Sequence, residues 1–281
     1  MPLTLVPTPI GNLEDITLRA LRVLREADLI ACEDTRTSGI LLKRYAISKP
    51  LVSLHEYNEK ERGVQLLQNL REGRKIAVIS DAGTPGISDP GFLLLQEAMR
   101  EGIEIDVLPG PSALLPALLL SGLSPHPFFF YGFPPEKSGQ RKNLFQALAS
   151  LPCTLVFYIS PHKAGRQVSD MLETWGSRRA ALVRETSKIY QEAVKGTLTD
   201  ISARLDEGVK GELVLVVEGC PEEAAPSGEW KERCRTLFEE GLTLKSIVQE
   251  IQELYGVRKN AIKDFLLECR ADAPKDEDEN R

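Results

Sequence analysis

The sequence lacks the cysteine pattern of a disulfide-stabilised or zinc-binding protein. Its five cysteines are widely scattered, odd in number and without a Cys-x-x-Cys pair, and its three histidines do not cluster. This spacing argues against a disulfide framework and against a structural metal site. We therefore expect a protein of the reducing cytoplasm that needs no metal ion.

Long apolar runs and an excess of positive charge are also missing. The longest apolar runs, near 113–120 and 128–131, are too short to cross a bilayer, and the N-terminus has no signal-peptide pattern. The net charge is −6, and the acidic segment 271–281 supplies half of it. We expect no membrane partner, a disordered acidic tail at 271–281, and nucleic-acid binding only through a local basic patch.

Glycine and proline are instead concentrated in one segment, Ser80–Gly91, which reads SDAGTPGISDPG. This central loop follows an apolar run at 76–79 and precedes a helical pattern at 92–100. Twelve residues exceed what an ordinary strand-to-helix turn needs, and glycines let a ligand approach the main chain closely. We interpret the central loop as a ligand-binding loop at the carboxyl end of a strand.

Short apolar runs that end in polar or Pro/Gly loops alternate with helical patterns along the first half of the chain. This alternation predicts a mostly parallel sheet with helices on its faces and its polar loops along one edge. After the second strand, Thr35 or Thr37 is the expected helix cap. The predicted strands span 4–6, 29–32, 51–54, 76–79 and 103–108.

The second half of the chain mixes strands and helices again, after a proline-containing linker at 124–128 and before another at 221–227. The sequence thus predicts an α/β protein with an N-terminal α/β domain at 1–122, a C-terminal α/β domain at 123–220 and a small helical domain at 227–270. Further strands are predicted at 128–133, 154–159, 179–184 and 213–217, and helices near 141–150, 163–175 and 199–207.

Residues 227–270 hold two helical patterns separated by a glycine turn, which is typical of a helix-turn-helix. Thr243 is the expected cap of the first helix, and Arg258, Lys259 and Lys263 make the second one basic. Two interpretations stay open, RNA docking and a plain helical hairpin, because the segment contains eight basic and eight acidic residues.

Five motifs occur together in one order: VPTPIGN at 6–12, ACEDTR at 31–36, the central loop, PGPSA at 109–113 and GFPPEK at 132–137. This set resembles the tetrapyrrole methylase superfamily. Within it, the chain is similar to the bacterial methyltransferases that modify the ribose 2′-hydroxyl of a cytidine in small-subunit ribosomal RNA. The first motif departs from the GlyxGlyProGlyAsp pattern usual in tetrapyrrole-modifying members, which favours the RNA-modifying branch.

The resemblance implies a class III methyltransferase, with two α/β domains and S-adenosyl-L-methionine in the cleft between them. It also implies a homodimer and, as substrate, ribosomal RNA or the assembled small ribosomal subunit. The family's cofactor-binding positions fall on Ile10, Asp81, Ala82, Gly83, Thr84, Ile87, Ser112, Ala113, Ile159 and Thr186.

Methyl transfer to a hydroxyl is helped by a base, and an RNA substrate is held by cations that bind phosphate. The candidate bases lie where predicted strands end, and the candidate cations lie near the same edge. Taken singly, each of them can also be a solvated loop charge. The candidate residues are Glu33, Asp34, Arg36, His55, Glu56, Lys137, Arg141 and Lys142.

The sequence therefore predicts an S-adenosylmethionine-dependent enzyme that 2′-O-methylates a cytidine ribose in small-subunit ribosomal RNA. Two other hypotheses are kept. One is methylation of a tetrapyrrole or a protein side chain on the same fold. The other is a nucleic-acid-binding regulator that acts through residues 243–268, with no catalysis.

Overall fold

The structure, a computed structural model, describes residues 2–55, 57–220, 229–255, 257, 262–263, 265–267 and 269. They belong to two compact units, Met1–Cys220 and Pro221–Arg281. Several predictions concern residues outside this described part and are not considered structurally below. These residues are Glu56, Arg258, Lys259, the linker 221–227 and the acidic tail 271–281.

The first sheet of the larger unit is entirely parallel, which confirms the predicted arrangement. Its strand order is β3-β2-β4-β1-β5. Because the strands run in one direction, the loops that follow them share one edge of the sheet, and the sequence motifs meet there. The strands are β1 (Leu3–Leu5), β2 (Leu29–Cys32), β3 (Leu51–Ser53), β4 (Ile76–Ile79) and β5 (Ile105–Val107).

Helices cover both faces of this sheet, which explains why a central strand such as β4 is apolar at every position. On one face lie α1 (Leu18–Glu26) and α2 (Thr35–Arg44), whose apolar side chains share a core with Ile30 and Ile79. On the other face lie α3 (Glu59–Arg71) and α4 (Phe92–Arg100), which pack against a separate core.

The start of α2 differs from the prediction. The cap is Asp34, whose side chain accepts a hydrogen bond of 2.8 Å from the Arg36 N–H, so the expectation of Thr35 or Thr37 is wrong. A carboxylate satisfies the free N–H groups at a helix start and also interacts favourably with the helix dipole. This use of Asp34 matters below, because it restrains one of the candidate catalytic groups.

The second sheet is mixed, in the order β6-β7-β10-β8-β9. Only β6 and β7 run parallel, and the other neighbouring pairs are antiparallel. The edge strand β9 was not predicted, because its sequence EAVKGT contains charges and a glycine and is only partly buried. The strands are β6 (Phe128–Gly132), β7 (Thr154–Ile159), β8 (Arg179–Arg184), β9 (Glu192–Thr197) and β10 (Leu213–Val217).

Each face of the second sheet is also covered by helices. On one face, α6 (Ser138–Leu148), α7 (Ala164–Trp175) and α8 (Leu198–Asp206) bury an aromatic cluster that includes Phe145 and Phe157. On the other face, α5 (Leu114–Ser121) packs against β8, β9 and β10. The division of this unit into domains at residue 122 stays a proposal, since α5 precedes that boundary and packs on the second sheet.

The smaller unit contains α9 (Glu229–Glu239) and α10 (Leu244–Tyr255), which enclose their own apolar core around Trp230, Ile247 and Ile251. Thr243 begins α10 as predicted, since its hydroxyl accepts a 3.2 Å hydrogen bond from Ser246 N–H. All five cysteines of the chain are free. Among the described residues, no helix combines the length and apolar character needed to cross a membrane.

Candidate active site

The first loop and the central loop are joined by main-chain hydrogen bonds. Thr8 and Gly83 form an antiparallel bridge, in which each N–H donates to the other residue's carbonyl at 2.9 Å. The buried hydroxyl of Thr8 also donates to the Ser80 carbonyl at 3.0 Å. These contacts satisfy the polar main chain of both loops and hold them in one arrangement at the sheet edge.

Gly83 lies where three of the motifs meet. Its φ of +78° is a backbone conformation that favours glycine, and a Cβ added there would lie 3.6 Å from Ile10 Cγ2 and 3.8 Å from the Pro111 carbonyl oxygen. The absence of a side chain at Gly83 thus leaves a small space between Ile10 and the Pro111 carbonyl, while the N–H and carbonyl of Gly83 are themselves bonded to Thr8. A buried isoleucine and a main-chain carbonyl beside such a space fit the apolar and polar parts of S-adenosylmethionine.

The other central-loop residues lie around this point with different exposure. Ala82 and Thr84 are half-buried, whereas Asp81 is exposed and the apolar side chain of Ile87 is 66% exposed. An exposed isoleucine in a loop of this kind provides apolar surface that a bound ligand could cover.

Ser112 and Ala113 lie at the turn that leads into α5. The Ser112 side chain is hydrogen-bonded to Tyr158 of β7, a residue that sequence reasoning missed. Burial raises the pKa of the Tyr158 hydroxyl, and the hydrogen bond from Ser112 opposes that shift. Tyr158 also packs edge-on against Phe130, with 4.9 Å between the two ring centroids. Through Tyr158, the turn that carries Ser112 is held against the second sheet.

Ile159 and Thr186 come from the second sheet and its loops. The Ile159 side chain is 2% exposed and belongs to the core, so only its main chain is available to a ligand. Thr186 is 7% exposed and stands between Glu185 and Ser187, which have φ values of +52° and +68°. Positive φ is uncommon for such residues and clusters at functional sites.

The segment that holds Thr186 contacts the first loop. The Ser187 hydroxyl donates to the Asp15 carboxylate, and the aliphatic chain of Lys188 occupies the space beside Gly11. Elements of both sheets therefore contribute to the region that the sequence assigned to the cofactor.

Carboxylates are crowded at the edge of the first sheet. Burial raises the pKa of Glu33, and the neighbouring Asp81 raises it further. Burial raises the pKa of Asp89 to about 6, with further contributions from Glu33 and Asp81. The pKa of Asp81 is also raised, chiefly because its carboxylate is partly shielded from water although the residue as a whole is exposed. The hydrogen bond from the Asp34 N–H opposes this rise, and the Asp34 charge adds to it. A carboxylate whose pKa is raised holds a proton more readily, which suits it to accept one from a substrate.

Asp34 behaves in the opposite way. Hydrogen bonds from the Arg36 side chain and main chain lower the pKa of Asp34 to about 2. Its carboxylate receives the Arg36 guanidinium at 2.7 Å, and its own N–H donates to Asp81 Oδ1 at 3.2 Å. Asp34 is therefore a weak base that caps α2 and fixes the position of Asp81. Glu33 is the stronger candidate for the base that accepts a proton from the substrate.

His55 lies beside this cluster, at the end of β3, where its interaction with Glu33 lowers the Glu33 pKa and partly offsets burial. Its main-chain N–H and ring are both hydrogen-bonded to Asn58. The structure thus brings Glu33, Asp34 and His55 to the same edge of the sheet as the cofactor motifs, as expected from the parallel topology.

The candidate cations differ in their environment. The Arg36 side chain is 89% exposed and Lys137 is exposed at the start of α6, so both can reach a substrate. Lys142 pairs with Glu173 at 2.6 Å. The hypothesis that Arg141 binds phosphate needs correction, because this residue is buried. Its guanidinium donates hydrogen bonds to the Asp170 carboxylate and to the carbonyls of Pro135 and Glu136. With its donors used internally, Arg141 stabilises the fold and is not free to bind phosphate.

Two carboxylates of this region were missed by sequence reasoning. Glu59 is buried and accepts hydrogen bonds from the end of the central loop, and Asp89 lies within that loop. Asp89 was visible in the sequence as a loop aspartate, but only the fold shows that it lies close enough to Glu33 for the two charges to interact. Among the described residues, no group of three or more His, Cys, Asp or Glu side chains is arranged to hold a metal ion.

Comparison with known proteins agrees with this geometry. The model of the family Tetrapyrrole (Corrin/Porphyrin) Methylases matches residues 2–202. The chain belongs to the tetrapyrrole methylase family. Methylases of this family depend on S-adenosylmethionine, which confirms the cofactor class implied by the motifs. Residues 2–202 include both sheets except β10, together with every candidate cofactor position.

Relatives of known name within the family are called ribosomal RNA small subunit methyltransferase I. The protein of Haemophilus influenzae is 42% identical over 272 residues, which cover 94% of this chain and 95% of that protein. The protein of Halalkalibacterium halodurans is 45% identical over 82% of this chain and 80% of its own. The protein of Thermotoga maritima is 44% identical over 218 residues, which cover 77% of this chain and 98% of that protein.

Solved structures of the same fold are more distant. A diphthine synthase has a TM-score of 0.62 and 17% identity, covering 77% of this chain and 89% of that one. The uroporphyrin-III-C-methyltransferase of Thermus thermophilus has a TM-score of 0.54 and 23% identity, covering 78% and 92%. At this identity they support the fold alone.

Proposed function

We propose that this protein is an S-adenosylmethionine-dependent methyltransferase that 2′-O-methylates the ribose of a cytidine in small-subunit ribosomal RNA. The observation that carries the proposal is the meeting of the first loop, the central loop and the PGPSA turn around Gly83. The relatives named ribosomal RNA small subunit methyltransferase I support the choice of substrate.

The cofactor is bound by the loops at the edge of the first sheet and by the adjoining part of the second. The main chain around Gly83 and the Ile10 side chain form the centre of the site, with Asp81, Thr84 and Ser112 as polar groups around it. Bound there, the cofactor supplies a methyl group that is already activated for displacement. The remaining proposed contacts are Ala82, Ile87, Ala113, Ile159 and Thr186.

The task of the protein is then to place the ribose hydroxyl in line with that methyl group. Correct placement of two reactants contributes up to roughly 7–11 kcal/mol to lowering a barrier. Methylation of that hydroxyl would require it to give up its proton to a base of the protein. Glu33 is the proposed acceptor, because burial keeps its pKa above the ordinary carboxylate value while Asp34 is held by Arg36.

Binding of RNA is proposed for exposed cations near this edge, Arg36 and Lys137, and for the smaller unit Pro221–Arg281. The described Lys263 is exposed, and Arg258 and Lys259 precede it in the sequence. The substrate is ribosomal RNA or the assembled small subunit, and the site of action is the cytoplasm. We also propose that the protein is a homodimer. Light scattering at micromolar concentration tests this, and detection of the 31.2 kDa monomer alone would contradict it.

The decisive experiment uses small ribosomal subunits and naked ribosomal RNA from cells that lack this protein. Purified protein and methyl-labelled S-adenosylmethionine are added, and nucleosides are mapped by mass spectrometry. Label on a single cytidine ribose supports the proposal. Label only on protein or on an added tetrapyrrole would support the same-fold alternative. Binding of RNA without any binding of S-adenosylhomocysteine would support the non-catalytic regulator.

A further inference from the structure

The hydrogen bonds between His55 and Asn58 determine where the imidazole carries its proton. The Asn58 side-chain oxygen accepts from the His55 main-chain N–H at 2.8 Å. A main-chain N–H can only donate, so the amide oxygen must face it. The amide nitrogen of Asn58 is therefore turned towards the ring.

A second contact fixes the same orientation of the amide. Asn58 Nδ2 lies 3.3 Å from the carbonyl oxygen of Ser53, which can only accept. The same nitrogen lies 3.1 Å from His55 Nε2. Because an amide nitrogen donates and never accepts, Nε2 must be the accepting nitrogen, and a neutral imidazole that accepts at Nε2 carries its proton on Nδ1.

The other ring nitrogen has no such use. His55 Nδ1 is buried and finds no hydrogen-bond partner among the described residues. Buried donors are nearly always paired, so one left unpaired beside a cluster of reactive carboxylates points to a partner that comes with a ligand. The Leu54 N–H donates to the Cys32 carbonyl at 2.8 Å, so His55 and Glu33 follow two paired strands at the same edge of the sheet. The unpaired ring nitrogen therefore lies on the side of the sheet where we place the proton transfer.

We propose that Asn58 is a positioning residue that holds His55 as the Nδ1–H tautomer, so that His55 donates a hydrogen bond to an oxygen of the RNA ribose–phosphate. This inference rests on the proposed function. In that tautomer the Nε2 lone pair is used by Asn58 and Nδ1 has none to offer, so His55 is not the base. Among Glu33, Asp34 and His55, only Glu33 then remains to accept the hydroxyl proton.

The tautomer can be measured directly and without activity. Two-bond proton–nitrogen correlation spectra of protein labelled at histidine nitrogens distinguish Nδ1–H from Nε2–H, and the chain has only three histidines. The His55→Asn variant assigns the His55 signals by their loss. We expect Nδ1–H in the native protein and a change to Nε2–H in Asn58→Asp, whose carboxylate can only accept. Nε2–H in the native protein would overturn the proposal.

Kinetics test the role of the donor. His55→Asn keeps an N–H close to the position of Nδ1 and should retain activity within about tenfold, whereas His55→Ala should lose about 10²-fold in kcat, as for a lost donor in a reacting site. Equal losses in both variants would mean that His55 is the base, against the proposal. Asn58→Asp should lower kcat and leave the Kd for S-adenosylhomocysteine unchanged.

Asn69→Asp is the matched control for Asn58→Asp. Asn69 lies in α3, is hydrogen-bonded to the Gln65 carbonyl at 2.7 Å and is away from the site, so its substitution should change neither the tautomer nor kcat. Failure of the native protein to methylate ribosomal RNA would refute the proposed function alone. The tautomer measurement does not depend on that outcome. Finding Nε2–H would overturn the tautomer proposal and leave the proposed function intact.

Discussion

The buried carboxylate of Glu59 accepts a 2.8 Å hydrogen bond from the main-chain N–H of Gly91, the last residue of the central loop. The same oxygen accepts from Leu93 N–H at 3.1 Å, in the first turn of α4. Glu59 begins α3, so this contact joins the start of one helix to the start of the next and fixes one end of the central loop.

Replacing Glu59 by alanine should therefore affect both stability and cofactor binding. The buried N–H of Gly91 and the partly buried N–H of Leu93 would lose their shared carboxylate acceptor, at a cost of about 2–3 kcal/mol in the free energy of unfolding. The loosened loop should also raise the Kd for S-adenosylhomocysteine, measured by isothermal titration. Glu61→Ala is the control, because Glu61 is exposed in the same helical turn. Unchanged stability and affinity in Glu59→Ala would contradict this role.

Gly83→Val should abolish cofactor binding while most of the fold remains. The valine side chain would occupy the space between Ile10 and Pro111 that we assign to the cofactor, and its positive φ would cost about 1–2 kcal/mol. Gly73→Val is the matched control for Gly83→Val, since Gly73 has a similar φ of +81° and open space around it. Both variants should lose similar stability, but only Gly83→Val should lose binding. Equal binding by the two would place the cofactor elsewhere.

Asp89 should make the protein less stable as the pH rises. Burial, with Glu33 and Asp81, raises its pKa from 3.8 to about 6, so the folded protein holds a proton that the unfolded chain has released. Stability then falls between about pH 4 and pH 6 and stays lower above. Asp89→Asn should remove this loss, with a gain of about 1–2 kcal/mol above pH 6 after solvent screening.

Urea unfolding of both proteins from pH 4 to pH 8 measures this gain. It should be absent near pH 4 and reach its full size above pH 6. Asp206→Asn, at an exposed aspartate, controls for the change in net charge. A gain for Asp89→Asn that is the same at every pH would show that the carboxylate does not titrate as described.

The buried pair of Arg141 and Asp170 should matter for stability and not for RNA. Asp170→Asn leaves the Arg141 guanidinium buried without its counter-charge, at a cost of about 3–5 kcal/mol in unfolding free energy. Glu173→Gln, which removes the exposed pair with Lys142 and leaves Asp170 in place, should cost less than about 1 kcal/mol. Chemical denaturation compares the two variants. If folded Asp170→Asn binds RNA with a changed salt dependence, Arg141 would instead be a residue that binds phosphate.

The smaller unit should serve the RNA and not the cofactor. A chain that ends at Cys220 keeps the whole larger unit, so its affinity for S-adenosylhomocysteine should be unchanged while its methylation of ribosomal RNA falls strongly. The chemistry itself should persist at saturating RNA, because all the proposed cofactor and base residues belong to the larger unit.

Charge reversal at Arg258 and Lys259 should reproduce the truncation, and added salt should weaken RNA binding of the native protein more than that of the variant. Charge reversal at Lys245, an exposed lysine at the start of α10, is the control, because it changes the charge at the substituted position by the same amount. If the truncated chain methylates RNA as well as the full chain, the helices are a packing element and the docking hypothesis fails.

Much of the fold could be predicted because the responsible patterns are local. The apolar runs at 29–32 and 76–79 are β2 and β4 with the same bounds, since each strand is buried on both faces and ends at a polar loop. The edge strand β9 was missed for the opposite reason. It is half-exposed and pairs on one side only, so its sequence has no apolar period to detect.

The order of five motifs by itself determined the family and the cofactor class, and it indicated the edge of the sheet where the candidate site lies. Those features follow from short segments whose loop chemistry is the same wherever the segment is placed. The fate of individual charges was decided only by the tertiary structure. Arg141 and Asp170 are 29 residues apart, and Glu59 and Gly91 are 32 apart. Whether a charged group binds a substrate, caps a loop or pairs in the core depends on which distant group packs against it and on how much water remains, and no local pattern contains that information.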